Sequence, residues 1–250
     1  MSLSGDTDLK RVVRLVHQKE VVTAAYLRSQ GVRYQNMLKY RQSNWLEALG
    51  AGAFCEKDTK PSFDAALAAL YEQLSLPIHI GGKSALLRHG IMQHVPLGER
   101  PLEVFLQRGL RIPKWFCETF PSQFVRNSSC LMADATGVER DSRGVLVSSP
   151  ERAFLEVAAD VPRKTALGEL YQLMEFADTL RPNIVTELLS KCRSVKAKRI
   201  FLFLADDLGH WWTKKIDRSK VDLGSGCRVI DEGGTFQPNY NIIVKPWRDY

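Results

Sequence analysis

The sequence predicts an α+β protein in which an N-terminal winged helix-turn-helix is followed by a larger mixed α+β domain. The first sixty residues carry three short amphipathic helical segments parted by brief turns, and then a hairpin pattern. The remainder mixes short strands and helices without the strict strand–helix alternation of a parallel α/β fold. No internal repeat or low-complexity linker interrupts the 250 residues, and at 44% hydrophobic content a chain of that length can bury a substantial core. The expected division is a winged helix over 1–60 and a second domain over 61–250, with a sub-boundary near 145.

Leu9, Val12, Val13 and Val16 share one helical face, with Lys10, Arg11 and Arg14 outside it, which predicts a first helix over 9–17. Thr23 can cap a second helix over 24–30, and Gly31 supplies the left-handed residue that ends it. A third helix over 34–42 follows after a short turn, with Met37, Leu38 and Tyr34 toward the core. Ser43 and Asn44 terminate it, since Asn tolerates a left-handed backbone. Residues 45–49 and 53–56 then read as strands joined by Gly50-Ala51-Gly52.

Beyond residue 60, Ser62 caps a helix with Phe63, Ala66, Leu67 and Leu70 at helical spacing. A strand is expected over 77–80, a turn at Gly81-Gly82, and a helix starting at Ser84. Strands follow over 102–106, 123–126 and 144–147. Ser149-Pro150 is a strong helix start, and further helices are expected over 166–180 and 184–192. The last sixty residues read as β-rich, with a buried apolar strand over 199–204 and strands over 227–230 and 240–244.

A formal net charge of +7 fits an anionic partner, and its distribution is uneven. Residues 21–46 contain Arg28, Arg33, Lys39 and Arg41 and no acid. Residues 190–220 contain nine basic residues (Lys191, Arg193, Lys196, Lys198, Arg199, Lys214, Lys215, Arg218 and Lys220) against three acidic ones. Two closely spaced helices with a basic, acid-free third helix form a recurrent DNA-reading arrangement. Gln35 and Asn36 can read an adenine edge, Arg28, Arg33, Lys39 and Arg41 can read guanine or hold phosphates, and Tyr34 and Tyr40 can touch a sugar or thymine methyl. These eight residues are the candidate DNA-binding set. A generic three-helix packing module with a solvated basic face is the alternative.

Other chemistries find little support. Ile80-Gly-Gly-Lys-Ser84 ends like a phosphate-binding loop, but the position that should be its first Gly is Pro77, which has no N–H to offer. Asp206, Asp207 and His210 invite a metal reading without a further clustered ligand, and His89 and His94 lack zinc-protease spacing. Trp211-Trp212 beside Lys214-Lys215 reads as a partly buried aromatic pair flanked by lysines, with base stacking as the alternative. No cofactor or metal is expected. Cys55, Cys117, Cys130, Cys192 and Cys227 are odd in number and widely spaced, which points to reduced cysteines. No apolar run is long enough to span a bilayer and no signal peptide opens the chain, so the expected compartment is the cytoplasm.

Nearly the whole chain resembles the AbiEi antitoxins, transcriptional regulators of bacterial AbiE-type, type IV toxin–antitoxin systems that act in abortive infection. The resemblance rests on the winged-helix run through Asn44-Trp-Leu-Glu-Ala-Leu-Gly-Ala-Gly-Ala-Phe54, on Gly81-Gly-Lys-Ser-Ala-Leu-Leu-Arg-His-Gly90, and on Ser148-Ser-Pro-Glu-Arg-Ala-Phe-Leu-Glu156. Its most specific parts are residues 192–204 and 212–226. It implies a winged helix that binds inverted repeats in the operon's own promoter and represses it. It further implies a C-terminal domain that counteracts a nucleotidyltransferase-like toxin, directly or indirectly, with no catalytic activity in the antitoxin. One departure is the wing: Gly50-Ala51-Gly52 lacks the basic tip residue that many such wings carry. The 190–220 basic residues are the candidate antitoxin surface. A stand-alone repressor without a toxin, and an enzyme acting on nucleic acid, remain alternatives, and the oligomeric state is open, a monomer in solution included.

Overall fold

The structure is a computed structural model that describes residues 3–92, 101–129 and 134–245; His94 and Cys130 lie outside the described residues. The elements begin with helix α1 (Leu3–Lys19), strand β1 (Val22–Thr23), helices α2 (Ala24–Ser29) and α3 (Tyr34–Gln42), and strands β2 (Leu46–Gly50) and β3 (Ala53–Glu56). The three strands form an antiparallel sheet in the order β1-β3-β2, which with the three helices makes a winged helix. Local chemistry sets the boundaries. The Thr23 hydroxyl accepts the Tyr26 N–H at 3.2 Å to start α2, and Asn44 adopts the left-handed backbone that releases the chain from α3 into β2. Val12, Val16, Val22, Leu27, Val32, Met37, Tyr40, Leu46 and Phe54 form one buried cluster. Leu38, expected inside, is on the outer side of α3, and Tyr40 takes the buried place.

Next come α4 (Phe63–Leu74), β4 (Ile78–Ile80), α5 (Gly82–Arg88), β5 (Leu102–Gln107), α6 (Lys114–Thr119), β6 (Phe124–Ser129), β7 (Val138–Arg140) and β8 (Leu146–Ser148). The strands β4 to β8 form a five-stranded sheet in the order β6-β5-β4-β8-β7, with Ile80 opposite Val147 in a parallel pair. Helices α7 (Pro150–Asp160), α8 (Leu167–Met174), α9 (Pro182–Lys191) and α10 (Val195–Asp207) follow, then two 3-10 turns at Trp211–Lys215 and Arg218–Lys220. A small sheet of β9 (Arg228–Val229), β10 (Thr235–Gln237) and β11 (Ile242–Val244), in the order β10-β11-β9, completes the described chain.

Two expectations about elements change. Residues 199–204 are helical, the middle of α10; a short continuous apolar run fits a buried helix as well as a buried strand. The helix expected at Ser84 begins earlier, at Gly82, whose N–H donates to the buried Glu156 carboxylate at 2.9 Å. The chain forms two compact units, one comprising Met1–His79, Arg100–Arg126 and Arg140–Leu146, the other Ile80–Glu99, Asn127–Glu139 and Val147–Tyr250.

In the first unit, α4 is bound to the winged helix by polar contacts and to α6 by aromatic ones. The Gln73 side-chain carbonyl accepts the Thr23 N–H at 2.7 Å while its amide donates to the Val21 carbonyl at 2.8 Å, so it continues the edge of β1 as a further strand would. Phe63 packs on Phe116 and Phe120 with ring centroids 5.4 Å away in each case. In the second unit, α7 is the central helix, buried from Glu151 to Ala158. Three of its buried residues are charged, and each is satisfied. Arg152 donates to Glu156 at 2.9 Å and to the Thr136 carbonyl at 2.6 Å, Ser148 donates to Glu156 at 2.9 Å, and Arg181 binds Glu151 through its backbone and guanidinium N–H groups.

Candidate nucleic-acid interface

Helix α3 presents the candidate surface. Its inward residues Met37 and Tyr40 anchor it, so the intervening positions face outward by helical periodicity. Arg33, Tyr34, Gln35, Lys39 and Arg41 are exposed, Tyr34 to 59%, and Asn36 is half-buried. No acidic residue occurs in the first turn of α3, and Lys39 and Arg41 lie in its last turn. Arg28 is exposed at the end of α2, where its Nε donates to the Ala24 carbonyl at 3.3 Å. Tyr40 departs from the expected set: at 8% exposure it is a core residue, and burial, with Asp8 nearby, pushes its phenol above the ordinary range. A ring packed inside the domain has no face left for a base or sugar.

The wing is short, and the end of its first strand, beside the turn, is held from a later part of the chain. A bulge between Ala48 and Gly50 bends β2 as it reaches the turn. Gly50 lies so close to α6 that a Cβ there would come 2.8 Å from the Trp115 Cβ and 3.1 Å from its Cα, with the Glu118 carboxylate at 3.6 Å. Only glycine fits this approach. The chain leading into α6 carries Arg108, Arg111 and Lys114, all exposed. The sequence reading passed over them although residues 104–117 contain no acid, the same signal that marks residues 21–46.

The second candidate surface does not survive intact. Arg199 is fully buried and donates to the carbonyls of Leu223 at 2.8 Å, Gly226 at 2.6 Å, Asn241 at 3.0 Å and Gly224 at 3.1 Å. Lys198 is 4% exposed and reaches the Asp222 carbonyl. Lys196 donates to the Ala159 and Val161 carbonyls, and burial lowers its pKa. Lys198 and Arg199 are buried and Lys196 is half-buried; each spends its charge on carbonyls that tie in the 221–241 segment or the end of α7, so the three are removed from the surface set. Lys191 pairs with Glu187 and Asp134, Arg218 with Asp206, and Lys220 with Asp217, all on exposed ground. Arg193, Lys214 and Lys215 are exposed, and Lys215 lies 4.7 Å over the ring of the half-exposed Trp211.

The remaining sequence candidates resolve into structural contacts. Asp206 accepts from Arg218 and Tyr240, and His210 is buried between Asp178 at 3.1 Å and the Met174 carbonyl at 2.7 Å. Trp212 is buried and donates to the Ala177 carbonyl at 2.7 Å. Lys83 pairs with Glu169 at 2.8 Å. Among the described residues no group of three or more His, Cys, Asp or Glu could hold a metal ion, and no helix is long and apolar enough to cross a membrane.

A winged helix-turn-helix followed by a larger mixed α+β region places the chain in the class of helix-turn-helix folds. Family comparison makes the assignment particular. Residues 6–97 match the N-terminal domain of the transcriptional regulator AbiEi antitoxin, and residues 99–245 match the transcriptional regulator AbiEi antitoxin of type IV toxin–antitoxin systems. The chain belongs to the AbiEi antitoxin family. A similar fold occurs in the crystal structure of the RV2827C protein from Mycobacterium tuberculosis, with a TM-score of 0.59 at 17% identity over 95% of this chain and 91% of that one. No curated protein matches the chain.

Proposed function

We propose that the protein binds inverted repeats in the promoter of its own operon through the winged helix, represses that operon, and counteracts a nucleotidyltransferase-like toxin through the part of the chain beyond the winged helix. The observation that carries the DNA reading is the outer face of α3, which offers Arg33, Tyr34, Gln35, Lys39 and Arg41 without an acidic neighbour on that helix. Such a face supplies phosphate contacts for affinity and amide or guanidinium groups for base edges. Family membership supports the paired roles of regulator and antitoxin. The proteins of this family are described as transcriptional regulators and antitoxins.

The test is a footprint of the full-length protein on the DNA upstream of its own gene, with the binding isotherm measured at several salt concentrations. Protection of two symmetry-related half-sites is the expected result. Replacing both Lys39 and Arg41 by Ala should reduce the slope of log affinity against log salt by up to about 1.8, at roughly 0.9 for each lost phosphate contact. Unchanged slope and affinity would remove those two residues from the interface.

A further inference from the structure

The turn of the wing carries no cation of its own, yet the structure sets a cationic segment against the end of β2 beside that turn. Gly50, the last residue of β2, touches the backbone of Trp115, and Lys114 is the residue immediately before it. Arg111 and Arg108 precede Lys114 in the same connection between β5 and α6, and all three side chains are exposed. None of the three has a carboxylate partner among the described residues, whereas Lys19, Arg140 and Arg143 elsewhere in the unit are paired with Glu72 or Asp64. Glu118, one helical turn after Lys114, also lies beside Gly50, so the local balance is three cations against one carboxylate. Helix α3 runs directly into β2 through the Trp45 N–H to Tyr40 carbonyl bond of 2.9 Å. One continuous path therefore leads from the reading helix, along the wing strand, to this segment.

We propose that Arg108, Arg111 and Lys114 form a phosphate-binding extension of the DNA interface, performing from the β5–α6 connection the part a basic wing tip would otherwise play. The inference rests on the DNA reading given above. The ligand is the sugar–phosphate backbone flanking the half-site read by α3, so the contribution is to affinity and footprint length and not to base preference. The Gly50 contact gives the assignment its geometry: any side chain at that position would push α6 off the wing and carry the cations away from the duplex.

The experiment compares full-length wild type, Arg108→Ala/Arg111→Ala/Lys114→Ala, and Lys39→Ala/Arg41→Ala on a duplex carrying the DNA upstream of this gene and on a scrambled duplex, across a salt series. The triple variant should bind both duplexes roughly 10-fold or more weakly, with the salt slope reduced by about 2 to 3, and should protect a shorter footprint. The ratio of operator to scrambled affinity should hold. Adding Ala51→Arg to the triple variant should restore part of the slope, which loss of a remote or merely structural charge would not allow. If the triple variant binds like wild type while Lys39→Ala/Arg41→Ala is weakened, the extension is overturned and the winged-helix reading stands. If wild type shows no preference for the upstream duplex, the winged-helix reading falls and the extension with it.

Discussion

Tyr40 and Lys39 are adjacent on α3 and have opposite duties, which makes them a test of what a single position contributes. Tyr40 belongs to the buried cluster with Val12, Met37 and Leu46, whereas Lys39 points outward. Tyr40→Ala should destabilise the protein by about 3–5 kcal/mol in a denaturant titration, the range for removing a buried aromatic ring. Lys39→Ala should stay within about 0.5 kcal/mol of wild type while losing DNA affinity. From sequence alone the two looked equivalent because both a buried tyrosine and a base-stacking one suit a basic helix; a helical wheel anchored on Met37 would have separated them. Arg199 teaches the same lesson more sharply. It resembled a surface cation, but its guanidinium gathers four carbonyls inside the protein. Arg199→Met should cost about 3 kcal/mol or more in a thermal or chemical melt, because several buried acceptors lose their donor together.

The elements that were legible are those whose signals are local. Thr23, Ser62 and Ser149 each accept a backbone N–H at the helix start where the sequence placed a cap. The apolar run of α10 was illegible as a helix because a short continuous hydrophobic stretch fits a buried strand equally well. The junction of the wing with α6 was illegible for a different reason: Gly50 and Trp115 are far apart in sequence, and nothing local reports their contact. Gly50→Ala should therefore cost about 1–3 kcal/mol by overpacking, and should also weaken DNA binding if α6 holds the wing in place. Pairing between elements likewise sets the acid limit of the fold. Burial alone would raise the Glu151 carboxyl, but its hydrogen bonds from Arg181 prevail and hold it below the ordinary range. Asp134 is held at about 2, mainly by Thr136, with Lys191 assisting. For both groups the folded value lies below the unfolded one. Their stabilisation is complete above the ordinary carboxylate range and disappears as pH falls through the lowered values. Asp134 is half-exposed and screened, so Glu151 should dominate. Urea titrations from pH 6 downward should show stability declining below about pH 4, the ordinary carboxylate range, and Glu151→Gln should flatten that decline while lowering stability at pH 6.

At the scale of the whole molecule, the positive balance of the sequence divides into cations that hold the fold and cations available to partners. The division does not follow local charge density. The densest basic stretch, 190–220, gives Lys196, Lys198 and Arg199 to internal carbonyls and pairs Lys191, Arg218 and Lys220 with carboxylates. Only Arg193, Lys214 and Lys215 remain as exposed cations without a carboxylate partner there among the described residues. This explains why a count of charges picked out exposed residues on α3 but buried ones on α10: α3 is a surface helix whose periodicity fixes which residues face out, whereas α10 is buried and its cations are bound internally. On the antitoxin role proposed above, the distinction predicts two kinds of failure in a cell-protection assay against a co-expressed nucleotidyltransferase-like toxin. Arg193→Ala/Lys214→Ala/Lys215→Ala should keep wild-type stability within about 0.5 kcal/mol per site, so any loss of protection reports a missing partner contact. Arg199→Met should lose protection only in proportion to the protein's fall in folded abundance, measurable by blotting and recoverable at lower growth temperature. If the exposed triple variant protects as well as wild type at matched abundance, those three cations have no part in antitoxin action, and the surface that meets the toxin or its substrate is not a basic one in this stretch.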